Sequence, residues 1–277
     1  MSDVSYLEVF RFNPSLDAAP YFEEYAVPWG DSEIGSNASV LQCLSYICEN
    51  ITPIAFDSSC ESGLCGRCAM TINGSPALAC RVTVSRGEKY RIEPLKGAPV
   101  VRDLIVDKYL SYEGGKTGNG RDVVGKVNTA DIGSSPAQYA MKRAHHCCTC
   151  MCCYAVCPKM RYGHTERFIG PGAMAQLALR FLDSNDGADR VRQAVLLGID
   201  ECDLCGDCAM VCPAEIDIPA LLAALKTEAR KSDFSDGSSA GAFLRIPSSD
   251  DFLGQTLSFG VADQAADVRC RLRYERI

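Results

Sequence analysis

The chain has 277 residues, a formal charge of −7, 47% hydrophobic and 23% charged residues. That length allows two domains with cores of their own, and the acidic balance offers no basic stripe for phosphates, which argues against a nucleic-acid partner. No run approaches the roughly 18 apolar residues that a bilayer span needs, and Met1 to Tyr6 lacks the basic-then-apolar order of a signal peptide, so an intracellular chain is expected.

In chain order, residues 1–107 read as an α+β unit of short strands with one helix. Tyr6 to Phe12 has strand composition, and Arg81 to Ile92 alternates well enough to predict another strand. Ser39 to Ile51 places Val40, Leu41, Leu44, Ile47 and Cys48 at helical spacing, with Ser39 as the N-cap. Cys60 to Cys68 is a glycine-rich loop, and Asn73-Gly74 is a hairpin-turn signal ahead of Cys80. An irregular connection is expected over 108–135, followed by a helical domain over 136–231. Its helices are predicted at Ala173 to Leu182, Arg190 to Leu197 and Ile218 to Lys231, the last with Pro219 in its first turn and Lys226, Arg230 and Lys231 toward its C-terminal end. Residues 232–277, with clusters of Ser, Asp and Gly, read as a loosely docked tail.

The informative number is seventeen cysteines: a reducing cytosol argues against a disulfide framework, and the odd count argues against full pairing. Twelve of them fall into three tight groups, which demands metal. Cys60, Cys65 and Cys68, followed by Cys80, have the plant-type spacing of a [2Fe-2S] cluster. Three thiolates must converge on one small cluster, so the loop wraps tightly, and Gly63 and Gly66 let backbone approach the sulfides. A structural zinc site also uses four thiolates, but its ligands usually come as two separated pairs.

Cys147, Cys150, Cys153 and Cys157-Pro158 form one bacterial ferredoxin run; Cys202, Cys205, Cys208 and Cys212-Pro213 repeat it. In such paired runs the fourth cysteine reaches across to the other cluster. Cys147, Cys150, Cys153 and Cys212 are therefore assigned to one [4Fe-4S] cluster, and Cys157, Cys202, Cys205 and Cys208 to a second. The remaining Cys43, Cys48, Cys148, Cys152 and Cys270 do not fit these spacings and read as packed or idle thiols. His145, His146 and His164 lack the alternation with cysteine that a Rieske site needs, which leaves them as supporting or surface groups. No dinucleotide fingerprint, P-loop or nucleophile triad occurs, so no catalytic residue is assigned to this chain.

These residues resemble the iron–sulfur subunit of the succinate dehydrogenase and fumarate reductase family, from about Leu7 to Lys231. Three features carry the resemblance. Only eleven residues separate Cys68 from Cys80; Glu93 to Asp107 is similar to the family's interdomain segment; and Phe168-Ile169-Gly170-Pro171 lies between the two runs. The resemblance implies a plant-type ferredoxin (β-grasp) domain followed by an α-helical bacterial-type two-cluster domain. It also implies a separate FAD-containing flavoprotein subunit that oxidises succinate or reduces fumarate, and a membrane quinone partner at the inner face of the cell membrane.

Two departures refine it. Family members usually carry a non-cysteine residue where Cys205 stands and hold [3Fe-4S] there, so Cys205 predicts [4Fe-4S], as in some archaeal-type and related bacterial enzymes. The family's quinone-site tryptophan and histidine are replaced by Met160, Arg161, Tyr162 and Asp203, which points to an unusual membrane anchor or a cysteine-rich partner. The competing readings are an iron–sulfur subunit of another flavoprotein complex, of glycolate or thiol–disulfide type, and a free ferredoxin carrier.

Overall fold

A computed structural model describes residues 4–30, 35, 37–108, 142–161, 168–183 and 186–231. Tyr162, His164 and Cys270, nearly all of the expected connection and the expected tail lie outside the described residues.

The first part of the chain builds a five-stranded sheet from β1 (Val4–Arg11), β2 (Tyr21–Pro28), β3 (Ala69–Ile72), β4 (Ser75–Leu78) and β5 (Lys89–Glu93), in the order β2-β1-β5-β3-β4. The β1–β5 pair is parallel and the other pairs are antiparallel. Alternation along β1 turns Ser5, Leu7 and Val9 inward, as the period of two requires. They meet Val40, Leu41, Leu44 and Ile47 of helix α1 (Val40–Asn50) in one core with Met70, Ile72, Leu78 and Ile92. The predicted cap is present: Ser39 Oγ accepts the Gln42 N–H at 3.3 Å, and Gln42 Oε1 accepts the Ser39 N–H at 2.8 Å, a reciprocal capping box. Ser5, buried among apolar side chains, is fully used. Its hydroxyl accepts the Trp29 indole N–H and the Gly87 N–H and donates to the Ser85 carbonyl.

The strand predicted over Arg81 to Ile92 is shorter, beginning only at Lys89. Residues just after Cys80 serve α1 instead: the Val82 carbonyl accepts the Val40 N–H and the Val84 N–H reaches Ala38. Strand β2 carried no sequence signal because its exposed edge leaves only Tyr25 and Val27 buried. The predicted hairpin turn joins β3 to β4, with both Asn73 and Gly74 at positive φ.

A short hairpin, β6 (Val100–Arg102) and β7 (Ile105–Val106), closes this part. Asp103 at its tip is buried and accepts from the Phe12 and Ala55 N–H groups and from Arg11 Nε. One carboxylate thus ties the end of β1 to the segment that leads into the Cys60 loop.

The second part is helical: α2 (Cys152–Val156), α3 (Pro158–Arg161), α4 (Pro171–Phe181), α5 (Arg190–Leu196), a 3₁₀ turn (Ile199–Glu201), α6 (Asp207–Met210) and α7 (Ile218–Lys231). Helix α4 packs on α5 and α7 through Met174, Ala178, Leu221, Leu222 and Leu225. The Arg190 guanidinium at the start of α5 is buried and paired with Asp186 at 2.9 Å. The three long helices thus make a scaffold on which the cysteine loops are mounted.

Candidate metal centres

The loop from Cys60 to Cys68 follows α1 and enters β3, while Cys80 follows β4. Its winding rests on positive φ at Glu61, Gly63 and Gly66. The turns aim backbone N–H groups at sulfur: Ser62, Leu64 and Cys65 all donate to Cys60 Sγ, at 3.4, 3.4 and 3.3 Å. Those N–H groups, Ser62 first and Leu64 next, bring the Cys60 thiol down to about 6, so the loop is built to hold a thiolate. Burial pushes the Cys68 thiol up to about 12, and the neighbouring Cys80 and Cys65 thiols add to the shift. Cys60, Cys65, Cys68 and Cys80 therefore meet as one group of sulfurs.

The two later loops repeat each other in backbone as well as in sequence. Thr149 and Leu204, each just before a second cysteine, have φ of 51° and 57°; Met151 and Gly206, just after it, have 70° and 95°. Left-handed backbone at a β-branched residue such as Thr149 costs on the order of 1 kcal/mol or more. Its recurrence at the matching position marks a shape that wraps around something. Helices α2 and α6 then carry Cys153 and Cys208 in equivalent places and pack on each other.

Two cavities result, and their walls cross between runs. One is lined by Cys147, Cys148, Cys150, Cys153 and, from the other run, Cys212. Its counterpart is lined by Cys202, Cys205, Cys208 and, from the first run, Cys157. Electrostatics follows the same division except that Cys208 also acts on Cys153. Burial pushes the Cys208 thiol up to about 12, with Cys202, Cys205 and Cys157 adding to it. Cys153 is pushed up by burial and then by Cys150, Cys147, Cys208 and Cys212. Four thiolates in so small a space repel one another unless cationic metal lies among them, and soft sulfur donors suit iron. Among the described residues no three His, Cys, Asp or Glu side chains gather closely enough to hold one ion; the thiols instead surround cavities. The wall of the first is close-fitting: a Cβ on Gly172 would lie 3.2 Å from Cys153 Sγ and 2.9 Å from the Tyr154 ring. That donor set and that shape fit a cluster in each cavity.

Of the other cysteines, Cys152 is fully buried and Cys148 half-buried, and both thiols neighbour Cys150. Cys43 packs in the core under α1, where burial raises its thiol to about 12, and Cys48 Sγ lies 3.9 Å from the Ile54 carbonyl. His145 and His146 are exposed. Asp203, which stands near the family's histidine position, pairs on the surface with Lys159 at 2.8 Å. Lys226 does not serve the end of α7; its ammonium reaches the carbonyls of Asp200, at 3.1 Å, and Cys202. Sequence spacing gave no sign of that contact, nor of Lys108, whose Nζ donates to the Gly66 and Arg67 carbonyls at 3.2 and 2.8 Å.

A sheet domain with one tight four-cysteine loop, joined to a helical domain with two crossed cysteine sets, defines an iron–sulfur electron carrier. Known families agree: residues 6–112 match a 2Fe-2S iron-sulfur cluster binding domain, and residues 146–217 a 4Fe-4S dicluster domain. The fumarate reductase iron-sulfur subunit of Escherichia coli O6:H1 is 34% identical over 235 residues, covering 81% of this chain and 93% of that protein. The subunit of the same name from Mycobacterium tuberculosis is 35% identical over 228 residues, covering 78% and 89%. A chain of the Mycobacterium smegmatis Sdh1 complex in the apo form shares the fold, with a TM-score of 0.72 at 23% identity over 85% of this chain and 99% of that one.

The chain belongs to the fumarate reductase and succinate dehydrogenase iron–sulfur subunit family. It is accordingly an electron-transfer subunit of an oxidoreductase. Among the described residues no helix is long and apolar enough to cross a membrane.

Proposed function

We propose that this chain relays electrons between an FAD-containing flavoprotein subunit, which interconverts succinate and fumarate, and a membrane-anchor or cysteine-rich quinone-reactive subunit. Three clusters supply the one-electron carriers. Cys60, Cys65, Cys68 and Cys80 hold [2Fe-2S]; Cys147, Cys150, Cys153 and Cys212 hold one [4Fe-4S]; Cys157, Cys202, Cys205 and Cys208 hold the other. The observation that carries this reading is the crossed wall of each cavity: Cys212 joins Cys147, Cys150 and Cys153, with Cys148 also on that wall, and Cys157 joins Cys202, Cys205 and Cys208. The domains run over 1–107 and 136–231, with 108–135 as connection and 232–277 as tail. The subunit sits at the inner face of the membrane through its partners.

The Cys60 loop offers a docking contact for the flavoprotein, since Leu64 on it is 75% exposed while its neighbours hold the sulfurs. The complex isolated anaerobically from native membranes is expected to carry flavin on a second subunit and to oxidise succinate with an artificial electron acceptor. Leu64→Glu should weaken subunit association by about tenfold or more. A flavin-free monomer would contradict the proposal in favour of a free carrier, and a flavoprotein active only on glycolate or thiols would assign the chain to another complex.

A further inference from the structure

The two parts of the chain touch where the first cysteine loop meets the second. A Cβ on Gly66, between Cys65 and Cys68, would lie 2.5 Å from the Cys148 carbonyl oxygen and 2.9 Å from Cys150 Cβ. No side chain larger than hydrogen fits there, so the backbones are in direct contact. Lys108 holds this junction. It follows β7, and its half-buried ammonium donates to both the Gly66 and the Arg67 carbonyls. Burial lowers the pKa of this ammonium, and Asp57, Cys150, Cys152 and Cys68 oppose that, which places it within electrostatic reach of Cys68 on one side and of Cys150 and Cys152 on the other. The facing carboxylate, Asp57, is itself engaged by Arg67 at 3.0 Å.

We propose that Lys108 is a positioning residue of the electron path, which clamps the Cys65–Cys68 loop against Cys148 and Cys150 and raises the reduction potentials of the two clusters that flank it. The proposal rests on the cluster assignment above. Adding an electron makes a cluster more negative, so a fixed cation beside it stabilises the reduced form. Lys108 serves both neighbours at once, so it lifts the two potentials together and leaves the step between them largely unchanged. The set formed by Cys157, Cys202, Cys205 and Cys208 does not border Lys108 and has lysines of its own: Lys226 at the Cys202 carbonyl and Lys159 beside Asp203.

The test is an EPR-monitored redox titration of the iron-loaded complex carrying Lys108→Met, Lys108→Gln or Lys108→Arg. In the Met and Gln variants, the potentials of the [2Fe-2S] cluster and of the Cys147 set are expected to fall together. The expected size is about a tenfold change in each redox equilibrium, or about 59 mV for one electron. Arginine should keep both near their original values, and the remote Cys157 set should not move in any variant. Gln can still donate to the two carbonyls, so a shift in the Gln variant reports charge rather than docking. Unmoved potentials in the Gln variant, or an equal shift at the remote set, would overturn the assignment. The iron content of the unsubstituted complex tests the cluster reading by itself, so a full iron count with unmoved potentials removes only the role of Lys108.

Discussion

Replacing Cys212 by serine should strip the cluster held mainly by the other run, at Cys147, Cys150 and Cys153, and leave the one around Cys202, Cys205 and Cys208 filled. The expectation follows from the cavity walls, where Cys212 faces the first set and Cys157 the second. A hydroxyl is a far poorer ligand for iron than a thiolate, and a cluster lacking one of its four anchors is readily lost. About four irons per chain should disappear. Cys212→Ser and Cys147→Ser should lose the same EPR signal, and Cys157→Ser and Cys202→Ser the other. If Cys212→Ser instead removed the signal lost in Cys202→Ser, each run would bind its own cluster and the crossed assignment would be wrong.

Cys205→Ser has a narrower and more diagnostic outcome. Cys205 is exposed, unlike the other eleven assigned ligands, so an iron bound to it would be the one most open to solvent. Losing that thiolate should release a single iron and leave [3Fe-4S], visible by EPR in the oxidised protein where the unsubstituted chain is silent. A [3Fe-4S] signal in intact, unsubstituted samples would show that Cys205 is not a ligand and that the chain follows the usual family pattern.

Much of this architecture was legible because it is local. The helix at Ser39 announced itself through its cap and the spacing of Val40, Leu44 and Ile47, and the structure adds the Gln42 half of the capping box. Helix α7 runs from Ile218 to Lys231, as its apolar period and the position of Pro219 required. The cysteine groups were readable for the same reason, since each loop is shorter than the span that would let its thiols part. The strand expected from Arg81 failed where a long-range contact took over: the Val82 and Ala38 carbonyls bond across to the opposite segments and keep residues 81–84 out of the main sheet. Strand β2 is held by its register with β1 rather than by its own pattern, because Glu23, Glu24 and Tyr21 face solvent at the sheet edge.

The same division applies to the sites. Spacing named the twelve cysteines, but it carried no information on what surrounds them. Lys108 lies forty residues beyond Cys68, and Lys226 more than twenty beyond Cys202, and each meets its loop only through tertiary packing. Asp103 is similar: alone it is one acidic residue in a hairpin, and in the fold it joins β1 to the segment that feeds the first cysteine loop. Charges of this kind set potentials and register, and they become visible only when the chain is folded.

Iron and acid-labile sulfide per chain, measured on anaerobically isolated protein, test the central claim most directly. The twelve assigned thiolates predict about ten irons and a matching amount of sulfide, with zinc near zero. Colourless protein holding zinc or little metal at full chain recovery would contradict the account.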